Sequence, residues 1–341
     1  MTTGNKDNKT FPRLYTIHSQ KGGVGKTSIA IAIAGFAAII HQKKALIIDA
    51  DMTGVSLFDM QGWSVSDNAP HYLNDILLAT PQKYEAIIRG DRRHGGNNAN
   101  LRQYFHDIPA WNNIKYIPAS PAINDITCMV PLLSQEDYHR FFQYRLEDII
   151  AAAINDGFEV VIIDNSPGLF GASKSTLQLS LRGSLKHPLL VESFKTHAFI
   201  VTSQDQADHF ALFPSLSHII TPIIPDDEDK YNFSIVMNKI TSQRNRPDPP
   251  IIFKQLLDDL KTKNFPDGRE VSDKFLKIVR EILEENGGLA APYVYDFSID
   301  DILPTIQRIQ STKKADEPFA RWCGGIAQAS GLLPPEIRTI G

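Results

Sequence analysis

The stretch that most constrains this chain is Ser19-Gln20-Lys21-Gly22-Gly23-Val24-Gly25-Lys26-Thr27-Ser28, set between an apolar run, Leu14 to Ile17, and an alanine-rich one, Ile29 to Ala34. The first run has strand character and the second reads as a buried helix, so the glycines fall on a strand-to-helix turn. Glycine reaches backbone angles closed to other residues, which lets consecutive N–H groups turn inward and donate to phosphate oxygens at a helix N-terminus. In such a loop Gly22, Gly23, Val24 and Gly25 form the cradle and Lys26 meets the outer phosphates. The Thr27 hydroxyl stands where Mg²⁺ binds, and Ser28 adds a second hydroxyl. The competing reading is a glycine turn between two core elements. The number of matched positions in this strand, loop and helix context weighs against it.

The spacing departs from the ordinary G-x-x-x-x-G-K-[ST] pattern, because the first glycine would fall at Gln20 and a second lysine, Lys21, precedes the glycines. This K-G-G-x-G-K-[TS] form resembles the deviant phosphate loop of the ParA/MinD family of dimerising ATPases. The resemblance implies an α/β fold with a mostly parallel twisted sheet and helices on both faces, with ATP and Mg²⁺ as cofactors. It also implies a Lys21 that reaches across a dimer interface to the partner's nucleotide.

Three later motifs extend it. Ala45-Leu46-Ile47-Ile48 reads as a buried parallel strand that delivers Asp49-Ala50-Asp51-Met52-Thr53-Gly54 to its C-terminal edge, where open α/β sheets bind ligands. This resembles the family's D-x-D-P-x-G segment with Met52 in place of proline. By that resemblance Asp51 positions or activates the attacking water, completing a catalytic set with Lys21 and Lys26, and Asp49 is structural or supports a neighbouring site residue. Without the phosphate loop, two aspartates after a strand would sooner be a helix cap. Phe158 to Gly168 is a second apolar strand ending in Asp164-Asn165-Ser166-Pro167-Gly168. By resemblance Asp164 holds Mg²⁺ through a water, together with Thr27, and Pro167 and Gly168 let the backbone approach the γ-phosphate. Phe233 to Met237 is the last clear strand, and it ends in Asn238-Lys239. In relatives this asparagine hydrogen-bonds the adenine ring, and Lys239 lies beside it.

A chain of 341 residues with this pattern reads as a polar tail, 1–10, followed by one domain, 11–341, with insertions around 80–113 and 169–196. Between Val55 and Gly157 the pattern is weaker: helices are expected over Tyr72 to Leu78, Gln82 to Ile88 and Glu136 to Ile154, and Arg89 to Asn100 reads as a surface loop. Lys254 to Glu285 reads as exposed helices. Acidic residues outnumber basic ones, 39 to 35, which gives no general field for nucleic acid, so DNA contact rests on a local patch, Lys239 with Arg244 and Arg246. Cys128 and Cys323 lack disulfide or zinc spacing and read as two buried thiols, and they do not fit the cluster or metalloid branches that share this loop. No signal peptide, long apolar span or basic C-terminal amphipathic helix is legible, so a cytoplasmic protein without a membrane anchor is expected. Expected partners are a second copy in the ATP state, a protein that reads or stimulates the ATPase, and non-specific DNA. The alternative is a nucleotide-dependent scaffold, for example in a defence complex, with little or no hydrolysis.

Overall fold

The computed structural model describes residues 14–53, 57, 63, 71–89, 101–182, 195–203, 205–224, 232–240, 249–261, 270–284, 288–292, 298–312 and 317–332. The expected tail 1–10, most of the 89–100 loop, the 183–194 part of the second insertion, Gly54, Arg244 and Arg246 lie outside these residues.

The chain runs β1 (Leu14–His18), α1 (Lys26–Gly35), β2 (Ala45–Ala50), α2 (Leu73–Leu77), α3 (Pro81–Arg89), β3 (His106–Asp107), β4 (Ile114–Ile117), α4 (Ile123–Leu133), α5 (Glu136–Asn155) and β5 (Val160–Asn165). It continues through α6 (Gly171–Arg182), β6 (Thr196–Thr202), α7 (Gln206–Ile220), β7 (Phe233–Ile240), α8 (Pro249–Lys261), α9 (Asp273–Glu284), β8 (Gly288–Pro292), α10 (Ile302–Thr312) and α11 (Glu317–Ser330). The strands form one sheet in the order β3-β4-β2-β5-β1-β6-β7-β8, parallel throughout except for the short β3 at one edge. β1, β2 and β5 are buried along their whole length, which is why they read as unbroken apolar runs and not as alternating ones.

Alternate residues of each strand feed two layers. Tyr15, Ile17, Ile47 and Ile162 pack on one face with α1, α10 and α11. Leu14, Ile48, Val161 and Ile163 pack on the other with α2 to α6, and the same face of β6 and β7 is covered by α7, α8 and α9. Chain order leaves β1 towards β2 and later returns past it from β5 to β6. The C-terminal end of β1 therefore sits where the strand order reverses, the place at which open sheets form a crevice.

Several expectations need correction. α8 and α9 are not exposed helices: Phe253, Leu256, Leu260, Phe275, Val279 and Ile282 are buried, and their charges occupy only the outer face. Cys323 is buried but Cys128 is exposed, because α4 buries only a narrow strip, Met129 and Leu133, and leaves Ile123 and Val130 exposed as well. The region between β2 and β5 is organised by Arg145 on α5, which is fully buried. Its guanidinium donates to Ile76 O, Leu77 O and Ala79 O at the end of α2 and stacks on the rings of Phe141 and Tyr84. Among the described residues no helix is long and apolar enough to cross a membrane.

Candidate functional site

The loop after β1 folds as its glycines predict. Gly23 and Gly25 take positive φ, +71° and +95°, and Gly25 caps α1 in the left-handed conformation. A Cβ at Gly23 would meet nothing within 4 Å, so the loop faces open space there. At Gly25 it would lie 2.3 Å from Asn238 Nδ2. Lys26 opens α1 and is 5% exposed, and Val24 is also buried. Gly22 lies near Pro167, and the Gly168 N–H donates to Ser19 O at 2.8 Å, so the loop after β5 is fastened to the start of the phosphate loop.

β1, β2 and β5 bring the acidic residues alongside. In register Asp49 pairs with Asp164, and Asp164 with Ile17, so both carboxylates stand at adjacent strand ends on the face that α1 covers. The Thr27 hydroxyl donates to Asp164 Oδ2 at 2.6 Å, while Asp164 Oδ1 is buried without a hydrogen-bond partner among the described residues. Burial raises the Asp164 pKa to about 6 against the opposing pull of Lys26 and the Thr27 hydroxyl. Asp49 is also fully buried, and its pKa is pushed well above the usual carboxylate range, first by desolvation and then by the neighbouring charges of Asp164 and Asp51. Its Oδ1 accepts the Asp51 N–H, which fits the structural role expected of it. Asp51 is half-buried, and its Oδ1 accepts both the N–H and the hydroxyl of Thr53. Met52, in the proline position of the family pattern, is wholly buried.

The Asn165 and Ser166 side chains are both hydrogen-bonded to neighbouring elements. Asn165 donates to Ile17 O and accepts from the Thr176 hydroxyl of α6, and Ser166 donates to Ala50 O. These bonds tie β5 to β1, β2 and α6. His18, at the end of β1, contacts Ser173 of α6, and burial with the nearby Lys26 charge lowers its pKa to about 3. It stays neutral.

The two ends of the phosphate loop are held differently. Lys21 Nζ bonds Asp205 Oδ2 at 2.9 Å, both side chains exposed, and Asp205 also caps α7 by accepting the Ala207 N–H. At the other end Asn238 Nδ2 donates to Val24 O at 2.8 Å, and Asn238 Oδ1 accepts from Trp322 Nε1 at 3.2 Å. The structure therefore brings Lys21, Gly22, Gly23, Val24, Gly25, Lys26, Thr27, Asp164, Pro167, Gly168 and Asn238 into one neighbourhood. Ser28 is the second residue of α1, and Lys239 follows Asn238 in β7. Sequence reasoning gave no role to Asp205 or Trp322. Asp205 carried only the signal of a helix cap, and Trp322, far along the chain, carried none.

The family model of an AAA domain matches residues 13–180. Apo McdA from Cyanthece superposes with TM-score 0.51 at 15% identity, covering 93% of this chain and 98% of that one. MinD in a MinC:MinD cell division protein complex from Aquifex aeolicus gives 0.50 at 13% identity, covering 95% and 97%. A ParA family ATPase from Chlorobium tepidum TLS gives 0.48 at 16% identity, covering 94% and 100%. At these identities the McdA and MinD likenesses show the fold. No curated protein matches the chain.

Proposed function

We propose, from the premise that residues 13–180 form an AAA domain and that the chain has the fold of the ParA/MinD P-loop ATPases, that this protein binds ATP with Mg²⁺ and uses binding and slow hydrolysis as a dimerisation switch. The switch would serve to partition, position or regulate a cargo. The observation that carries this reading is the Thr27–Asp164 hydrogen bond beside a positive-φ glycine loop, with the second Asp164 oxygen buried and without a partner among the described residues. A buried carboxylate oxygen left without a donor is costly, and a hydrated cation shared with phosphate satisfies it. Thr27 directly, and Asp164 through water, are the residues that would hold Mg²⁺, which when bound neutralises charge on the β- and γ-phosphates. The N–H groups from Gly22 to Thr27 orient the phosphates, and Lys26 sets a buried positive charge against them. Asp51 orders the water, and Lys21, supplied by a partner copy, adds charge as the transition state forms. Asn238 and Lys239 are assigned to the adenine side, and Pro167 and Gly168 to the γ-phosphate side.

A second reading, an ATP-dependent scaffold with little hydrolysis, is favoured by one observation: Asp51 Oδ1 is already engaged by Thr53. Turnover with and without DNA or a candidate partner separates the two. Lys26→Ala tests the common core of both. A folded variant should lose ATP affinity by at least about a hundredfold in calorimetry, since it removes the buried charge beside the loop. Unchanged affinity would reject the phosphate-loop assignment. Co-purification with a hydrolysis-blocked variant identifies the cargo.

A further inference from the structure

We propose that Trp322, on α11, is a positioning residue of the phosphate loop, acting through Asn238 on the Val24–Gly25 peptide. The inference rests on the reading that this loop binds phosphate. α11 lies outside the stretch matched as an AAA domain, yet it is packed on α1 through Ile326 and Ala327, and the Tyr15 hydroxyl of β1 donates to Ser330 O at its end.

In a planar trans peptide the C=O of one residue and the N–H of the next point in opposite directions. Asn238 Nδ2 holds Val24 O at 2.8 Å, so the Gly25 N–H is turned away from β7. A nest of inward N–H groups requires such outward carbonyls. The Asn238 amide can do this in only one of its two orientations. As found, Nδ2 faces the Val24 carbonyl and Oδ1 faces the Trp322 indole N–H. Flipped, an oxygen would face a carbonyl oxygen and an NH₂ group would face an N–H donor, leaving both neighbours unsatisfied. Asn238 and Trp322 are each 5% exposed, so water is poorly placed to relieve that mismatch. The contact is also tight: the Cβ that Gly25 lacks would sit 2.3 Å from Asn238 Nδ2. The indole N–H is therefore the lock on the amide, and the amide is the lock on the loop.

Without that lock the amide and the Val24–Gly25 peptide sample both orientations, and apparent affinity falls in proportion to the fraction of protein with the loop correctly set. The test uses the full chain with Trp322→Phe, which keeps an aromatic ring in the core and removes the N–H together with part of the indole. ATP and ADP affinities, with Mg²⁺, should each weaken roughly tenfold in calorimetry. KM should rise by a similar factor while kcat stays within about twofold, because bound nucleotide restores the loop. Asn238→Asp, which cannot donate to Val24 O, should weaken binding at least as much, and the double variant should be no worse than Asn238→Asp alone. If wild type binds ATP and loses it on Lys26→Ala, but Trp322→Phe binds as tightly as wild type or the two effects simply add, the positioning role is overturned and the phosphate-loop reading survives. A wild type that binds no nucleotide overturns both.

Discussion

The two ends of the phosphate loop are tethered by opposite kinds of interaction. At its start Lys21 pairs with Asp205 in the open, with side chains 42% and 58% exposed. At its end Val24, Asn238 and Trp322 form a buried hydrogen-bonded chain. An exposed ion pair exchanges readily with water and other charges, whereas a buried chain cannot be opened without stranding a donor or acceptor. A loop held in this way has a fixed cradle and a releasable lysine. The two kinds of attachment match the two tasks proposed above, orienting phosphate within one protomer and presenting a charge to another.

The largest expected effect comes from striking the buried end. Gly25→Ala puts a Cβ against a doubly bonded amide at a position with φ +95°, so ATP affinity should fall by at least about a hundredfold with the global fold retained. Near-normal binding would show that the end is softer than the comparison requires.

Next is Asp51→Ala, which touches neither tether. Turnover should drop by about two to three orders of magnitude while ATP binding is kept and the ATP dimer accumulates. If turnover matches wild type under every stimulating condition, Asp51 has been misassigned and Asp49 becomes the candidate.

A pH effect should follow from the buried carboxylate beside the loop. The Asp164 pKa is raised in the folded state from 3.8 to about 6, so the nucleotide-free folded state holds a proton that the unfolded chain gives up first. Its contribution to stability is full below pH ~3.8 and is lost as pH rises through about 6, on the order of 3 kcal/mol in all. Thermal unfolding followed between pH 4 and 7 should show this slope, and Asp164→Asn should reduce it, leaving the part that the neighbouring buried Asp49 contributes in the same direction. An unaltered slope in the variant would place the effect elsewhere.

The smallest effect on the monomer is expected at the exposed end. Asp205→Ala and Lys21→Ala should each leave the melting temperature within about 2 °C and monomer ATP affinity within about threefold. They should differ in assembly. Lys21→Ala should abolish dimerisation driven by a non-hydrolysable ATP analogue, seen by light scattering, because a ligand drives assembly only as far as it binds the dimer better. Asp205→Ala should leave it intact or ease it. Equal dimerisation by wild type and Lys21→Ala would reduce Lys21 to a solvated lysine beside a glycine turn.

The sequence carried the central strands and the loop because their signals are local. A buried parallel strand must be apolar throughout, as in Val160 to Ile163, and a phosphate loop must concentrate glycines between a strand and a helix. Thr27 and Asp164 were named separately from their motifs, and their 2.6 Å contact follows from the pairing of β1 with β5. Elsewhere the signal weakened. The stretch between β2 and β5 was poorly legible because its organiser is Arg145, a residue type that sequence reading places on the surface and that here is buried by capping α2 and stacking on two rings. Likewise the exposure of Cys128 is not legible in its own spacing, because exposure on α4 depends on which neighbours cover it.

By itself, then, the sequence determined a glycine-rich strand-to-helix loop on a parallel α/β sheet, with acidic residues at the ends of two further strands, because each of those features is enforced by backbone geometry within a few residues. Only the tertiary structure decided how that loop is held: that Lys21 rests on Asp205 across 184 positions, and that Val24 is fixed through Asn238 by a tryptophan a further 84 positions on. Such partners meet because sheet order and helix packing bring distant segments together, and a hydrogen bond between them leaves no periodicity in the chain for a reader of sequence to find.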